Sequence, residues 1–189
     1  MNIRELLEIP FPAFKDAYTL AAEAHKNDYR KDGKPYMTHI DAVIENTWME
    51  MYGRFQAGWL DSMNASFVTT DYNAFSEVSA FLIVATYHDL FEDHPEYDVI
   101  KEIDKFEAQW PSHYAYRLAD MKYALHRISK KEHGVKTYVK YSEYVDRVKR
   151  NKYSKIVKIS DLSHNMSDLK PGQMYDKYEL TLAVLKSEV

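Results

Sequence analysis

Six consecutive residues, HDLFED (His88–Asp93), set an imidazole and three carboxylates directly after an apolar run. A helix repeats every 3.6 residues or about that, so His88 stacks over Glu92 and Asp89 over Asp93. Such groups are costly to take out of water unless something neutralises them. A divalent cation is the economical answer. The chain has no cysteine, which excludes disulfides and thiolate metal sites and leaves His, Asp or Glu as the metal ligands. Imidazole combined with carboxylate suits Mn²⁺, Fe²⁺, Zn²⁺ or similar ions.

Two adjacent ligands do not make a tight site, and two further segments supply partners. KPYMTH places His39 at the start of a second helix, just after a constrained loop. KISDLSHN places Asp161 inside an apolar helix, flanked by Ile156, Val157, Ile159 and Leu162. Lys158 and Asn165 stand three residues before Asp161 and four after it, on one helix face. Each piece has a plain alternative. HD pairs arise by chance, HDLFED alone is an acidic helix end, and Asp161 alone completes a core salt bridge with Lys158. Acids at a helix C-terminus nevertheless oppose the macrodipole. Taken jointly, the order H…HD…D favours the metal site.

The elements that must position these residues are helical. Glycine numbers 5 and proline 6, so turns are few. Apolar periodicity and breakers predict helices over residues 14–27, 38–52, 73–92, 98–110, 113–129, 135–150, 152–169 and 175–188, with Thr38 as the N-cap of the second. The expectation is an all-α fold, one bundle of about eight helices spanning residues 1–189 as a single domain. The third helix, with VSAFLIVATY at its centre, is apolar nearly all round and belongs at the middle. Residues 53–72 are the least regular part. Tyr138, Tyr141 and Tyr144, with Val145 and Val148, read as helix packing. Lys130 and Lys131 read as a solvated loop. His25, His94, His113, His126, His133 and His164 show no ligand-like spacing, although His164 adjoins Asn165.

The bulk numbers set the class. The 189 residues suffice for one domain with a real core. The formal charge of −4 does not suit a protein that coats nucleic acid, so a phosphorylated ligand needs a local basic pocket or a metal. The N-terminus lacks a secretory pattern, and the most apolar run is too short to span a bilayer. A cytoplasmic protein without membrane or nucleic-acid partners is expected. Nothing decides between monomer and homo-oligomer.

The segments AAEAHKNDYRKDGKPYMTHIDAV, ATYHDLFED and VKISDLSHNMSDL resemble the HD superfamily of metal-dependent phosphohydrolases. Within it they are similar to the hydrolase domain of RelA/SpoT-type enzymes and small stand-alone alarmone hydrolases. The likeness runs from about Ala21 to Leu169. It implies that His39, His88, Asp89 and Asp161 hold a divalent ion of the Mn²⁺ type. It implies that Glu92 and Asp93 handle the attacking water and proton transfer. Arg30 and Lys31 would hold the base and phosphates, with Tyr36 beside the nucleotide and Asn165 at the ribose and base side. Lys158 stands where the family often has lysine and joins the substrate-binding residues.

The implied reaction is hydrolysis of the 3′-pyrophosphate of a guanosine or adenosine nucleotide such as (p)ppGpp, the alarmone of the stringent response. Three departures stand out. Asn27-Asp28 replaces Gly-Gln, Asp168 replaces a small hydroxyl residue, and residues 53–72 form a family-atypical insertion. The alternatives are an HD phosphohydrolase acting on NADPH, a nucleoside monophosphate or a cyclic nucleotide, and a non-catalytic nucleotide-binding module. Both acids, Glu92 and Asp93, speak against the last.

Overall fold

A computed structural model describes residues 1–11, 13–56, 72–110, 115–132, 135–136 and 140–187. Most of the 53–72 segment, His113, His133 and Tyr138 lie outside the described residues. Ten α-helices make up the described fold: α1 (Ile3–Glu8), α2 (Phe14–Ala24), α3 (Met37–Gln56), α4 (Tyr72–Tyr87), α5 (Leu90–Asp93), α6 (Val99–Lys105), α7 (Ala115–Ile128), α8 (Tyr141–Lys149), α9 (Lys152–Ser167) and α10 (Gln173–Lys186). A 3₁₀ turn, Phe106–Gln109, continues α6. A minimal hairpin pairs Lys131–Glu132 with Val135–Lys136. The fold is all-α, as expected, and α2–α4 and α6–α10 overlap the eight stretches read from periodicity.

Two helices form the centre. From Val78 to Ala85 every residue of α4 is buried, and so is every residue of α9 from Tyr153 to Leu162. A helix buried on all sides must be apolar nearly all round, or must satisfy its polar groups within itself. Both devices are used. The Thr86 hydroxyl donates to the Leu82 carbonyl, and the Ser160 hydroxyl to that of Ile156. Helix α3 packs on α9 and α4, α2 covers α4, α7 lies against α4 and α9, and α8 and α10 close on α9. Tyr144, Val145 and Val148 of α8 form a smaller apolar cluster with Ile159, Leu162 and Leu185. Packing therefore accounts for Tyr144, and Tyr141 lies against the same cluster.

Four local expectations need correction. The helix over 73–92 does not run through: α4 ends at Tyr87, His88 and Asp89 form a turn, and α5 restarts at Leu90. Consecutive helical residues point about 100° apart, so a turn is what lets neighbours face one point. Thr38 lies inside α3 and is not its N-cap; its hydroxyl donates back to the Pro35 carbonyl. The helix expected from 135 begins only at Tyr141, because the hairpin takes up Val135–Lys136. Helix α1 was not anticipated, although Asn2 and Glu5 form a reciprocal capping box.

Candidate metal centre

Helices α3 and α9 and the α4–α5 turn converge on one cluster. His39 sits in the first turn of α3, where the Tyr36 carbonyl receives its backbone N–H at 2.8 Å. The Asp89 carbonyl accepts from Glu92 and Asp93 backbone N–H groups at 3.0 and 2.8 Å, which fixes the turn. Asp161 projects from the buried stretch of α9.

The four side chains meet. His39 Nε2 lies 3.3 Å from Asp89 Oδ2 and 3.4 Å from Asp161 Oδ1. His88 Nε2 lies 3.2 Å from Asp89 Oδ2 and 3.9 Å from Asp161 Oδ1. His39, His88 and Asp161 are buried and offer ligand atoms within 4.8 Å of one another. Asp89 keeps 20% side-chain exposure, so the cluster has an open side.

Protonation shows why this arrangement fits a cation. His88 Nδ1 lies 2.7 Å from the Ala85 carbonyl, which only a ring N–H can satisfy. A neutral ring then presents the bare Nε2 lone pair to carboxylate oxygens, and Nε2 is buried without a hydrogen-bond partner. Acceptors facing acceptors require a positive charge between them. Without a metal, the imidazoles supply it. Burial opposes charge on His88, but Asp89 and Asp161 outweigh that and raise its pKa to about 9. Burial likewise opposes charge on His39, yet hydrogen bonds to Asp161 and Asp89 raise it. Two imidazoles and two carboxylates are a donor set suited to a divalent transition ion.

The surrounding residues hold the ligands. Asp161 receives Lys158 Nζ on Oδ2 and Asn165 Nδ2 on Oδ1, each at 2.5 Å. Burial would raise the Asp161 pKa, but the Lys158 ammonium and the histidines hold it far below the carboxylate range. The Tyr36 hydroxyl donates to Asp89 Oδ2 at 2.7 Å. Burial and the Asp89 charge push the Tyr36 pKa up, so it remains a donor. His164, on α9, meets His39 through their Nδ1 atoms at 2.8 Å.

The remaining expected residues divide. Arg30 Nη2 reaches Asp168 Oδ2 at 2.9 Å and Asn165 Oδ1 at 3.4 Å, so the loop after α2 is tied to the end of α9. Lys31 is exposed, and the contacts that tie Arg30 to α9 do not include it. Glu92 Oε2 accepts the Lys130 backbone N–H at 3.0 Å, and Asp93 Oδ1 accepts Lys131 Nζ at 2.5 Å. The Lys130–Lys131 loop is therefore an anchor for the acidic pair, which sequence spacing did not reveal. Lys130 and Lys158 lie over the Tyr144 ring at 5.4 and 6.0 Å, and Lys158 repels the charge on Lys130 and lowers its pKa. A second cluster joins the local pair His25 and Asp28 to His94, which sequence spacing does not reveal because His94 stands 66 residues from Asp28. No described helix is long and apolar enough to cross a membrane. A comparison with known family models and with curated proteins finds no match for this chain.

Proposed function

We propose that this chain is a metal-dependent phosphohydrolase of the HD type that removes the 3′-pyrophosphate of a guanosine or adenosine alarmone such as (p)ppGpp. The observation that carries the reading is the convergence of His39, His88, Asp89 and Asp161 around an unpartnered His88 Nε2. These four residues would hold the ion, Mn²⁺ in this reading. When bound, such an ion polarises phosphoryl oxygens and makes water a better nucleophile.

The chain's own groups supply the rest. Glu92 is half-buried and fixed by the Lys130 N–H, which suits a group that orients water and takes its proton. Asp93, exposed and paired with Lys131, is the second acid beside Glu92 and would share the proton transfer to the leaving 3′ oxygen. Water adds to phosphorus, the bond to the 3′ oxygen breaks, and pyrophosphate leaves with the 3′ hydroxyl restored. Arg30 and Asn165 line the rim beside Asp161, where a planar guanidinium can stack on a purine or pair with phosphate. The substrate is a free cytoplasmic nucleotide rather than a nucleic acid or a membrane lipid.

The test is Mn²⁺-dependent hydrolysis of ppGpp, ppApp, NADPH, dAMP and a cyclic nucleotide side by side, with products resolved by chromatography. Pyrophosphate release from ppGpp or ppApp, lost with chelator, is the expected result. Turnover of the other nucleotides alone keeps the metal chemistry and overturns the substrate. Binding without turnover of any makes the chain a sequestering module.

A further inference from the structure

A second constellation lies behind Tyr36. His25 ends α2, Asp28 follows in the next turn, and His94 ends α5. Backbone hydrogen bonds set the turn, from Asp28 N–H to the His25 carbonyl at 3.0 Å and from Tyr36 N–H to the Asp28 carbonyl at 2.8 Å. One oxygen, Asp28 Oδ2, lies 2.8 Å from His25 Nδ1 and 2.8 Å from His94 Nε2. His94 Nδ1 faces Glu96 Oε1 at 2.9 Å.

Proton counting restricts what this arrangement can be. Both nitrogens of His94 face carboxylate oxygens, so a metal-free cluster needs a doubly protonated ring. A cation held by His25 Nδ1, Asp28 Oδ2 and His94 Nε2 would take the place of the protons on those two nitrogens, with the three ligand atoms opening from hydrogen-bond spacing to surround it. His94 then donates Nδ1–H to Glu96, the carboxylate–imidazole–metal pattern that fixes the tautomer of a ligating histidine. His25 is almost fully buried, and Nδ1 is the ring atom that faces Asp28. Asp28 and His94 keep 36% and 17% side-chain exposure, which leaves a side open for a water or an entering ion.

We infer that His25, Asp28 and His94 form a second binding site for a divalent transition ion of the zinc type, with Glu96 orienting His94. Two imidazoles, one carboxylate and an open position suit Zn²⁺. The site is distinct from the first. His25 stacks on Tyr36 with centroids 4.9 Å apart, and Tyr36 stands between the two centres, its hydroxyl on Asp89 and its ring 5.6 Å from that of His39. An ion here clamps the end of α2 to the end of α5, the segments that lead to Arg30 and follow Glu92 and Asp93.

The test is metal stoichiometry. The chelator-stripped chain is equilibrated with Zn²⁺ alone, dialysed, and counted for ions per chain, with calorimetry for affinity and circular dichroism for folding. The wild type should hold two ions, Asp28→Asn and His94→Ala one each, and Asp161→Asn one. Asp28→Asn keeps the shape of the side chain, so a fold defect in the alanine variant does not decide the matter. Equal occupancy in the wild type, Asp28→Asn and His94→Ala overturns the inference. An ion lost only from Asp161→Asn sinks this site and leaves the hydrolase reading standing. An ion lost only from Asp28→Asn and His94→Ala does the reverse.

Discussion

The Nδ1 atoms of His39 and His164 lie 2.8 Å apart, joining α3 to α9 beside the candidate metal centre. One ring must donate and the other accept. Burial, then the neighbouring His39 and Arg30, lower the His164 pKa, so His164 stays neutral and able to accept. With the proton on His39 Nδ1, Nε2 is left as the atom that faces Asp89 and Asp161. His164 thereby sets which nitrogen of His39 is available to a metal.

His164→Ala should therefore weaken Mn²⁺ binding by about 10–100-fold, the usual cost of losing the group that orients a ligating histidine. Calorimetric titration of the stripped chain measures it. An affinity equal to wild type would show that His39 needs no such support.

Asp161→Ala should remove both metal binding and turnover, whereas Glu92→Gln should bind metal as wild type does and lose turnover. The distinction follows from their positions. Asp161 faces both imidazoles, while Glu92 is held by Lys130 on the next turn after Asp89. Equilibrium metal binding and a turnover assay on the same preparations separate the two. Turnover retained by Glu92→Gln would remove it from the chemistry.

Asp161→Ala carries a second cost. Lys158 and Asp161 are both buried and paired, so removing the acid strands an ammonium inside the protein. Breaking such a pair costs about 3–5 kcal/mol. The double variant Lys158→Met/Asp161→Ala removes both charges and should recover most of that stability without recovering metal binding. Urea unfolding alongside metal titration tests this. A double variant no more stable than Asp161→Ala would mean that the stranded charge is not the cause.

What could be read from sequence was set by the range over which each signal acts. His88, Asp89 and Asp161 stand out because ionisable groups adjoin apolar runs, a contradiction visible within a few residues. The turn at His88–Asp89 was not visible, since no glycine or proline marks it. It arises where α4 gives way to the ligands. The His25–Asp28–His94 cluster joins residues 66 apart along the chain at its longest hydrogen bond, and no local pattern reports such a contact. Helix α1 is the opposite case, because the Asn2 and Glu5 capping signal was present in the sequence and was overlooked.

A far cluster supplies a control for stability without function. Glu77 is buried against Arg117 and Lys152 and accepts the Tyr153 hydroxyl at 3.1 Å. Glu77→Ala leaves the buried Arg117 short of its anion, so a loss of about 3–5 kcal/mol is expected. Metal stoichiometry of the folded chain should be unchanged. Denaturant unfolding and ion counting give the two readings, and a lost ion would mean that the two ends of α4 are coupled.

Asp168 offers the sharpest probe of the rim. It is 43% exposed and pairs with Arg30, the cation expected to meet the nucleotide. An exposed pair of this kind adds only about 0.2–1 kcal/mol to stability. A nucleotide phosphate must compete with Asp168 for the same guanidinium. Asp168→Asn removes the competitor and repels an anion less, so nucleotide affinity should rise several-fold while Tm falls by no more than about 4 °C. Arg30→Lys should weaken binding even with Asp168 in place, because an ammonium lacks the planar fork and the flat face. Fluorescence-detected nucleotide titration across the wild type and both variants decides the matter. Tighter binding in Asp168→Asn and weaker binding in Arg30→Lys place the nucleotide on Arg30; unchanged affinity in both places it elsewhere.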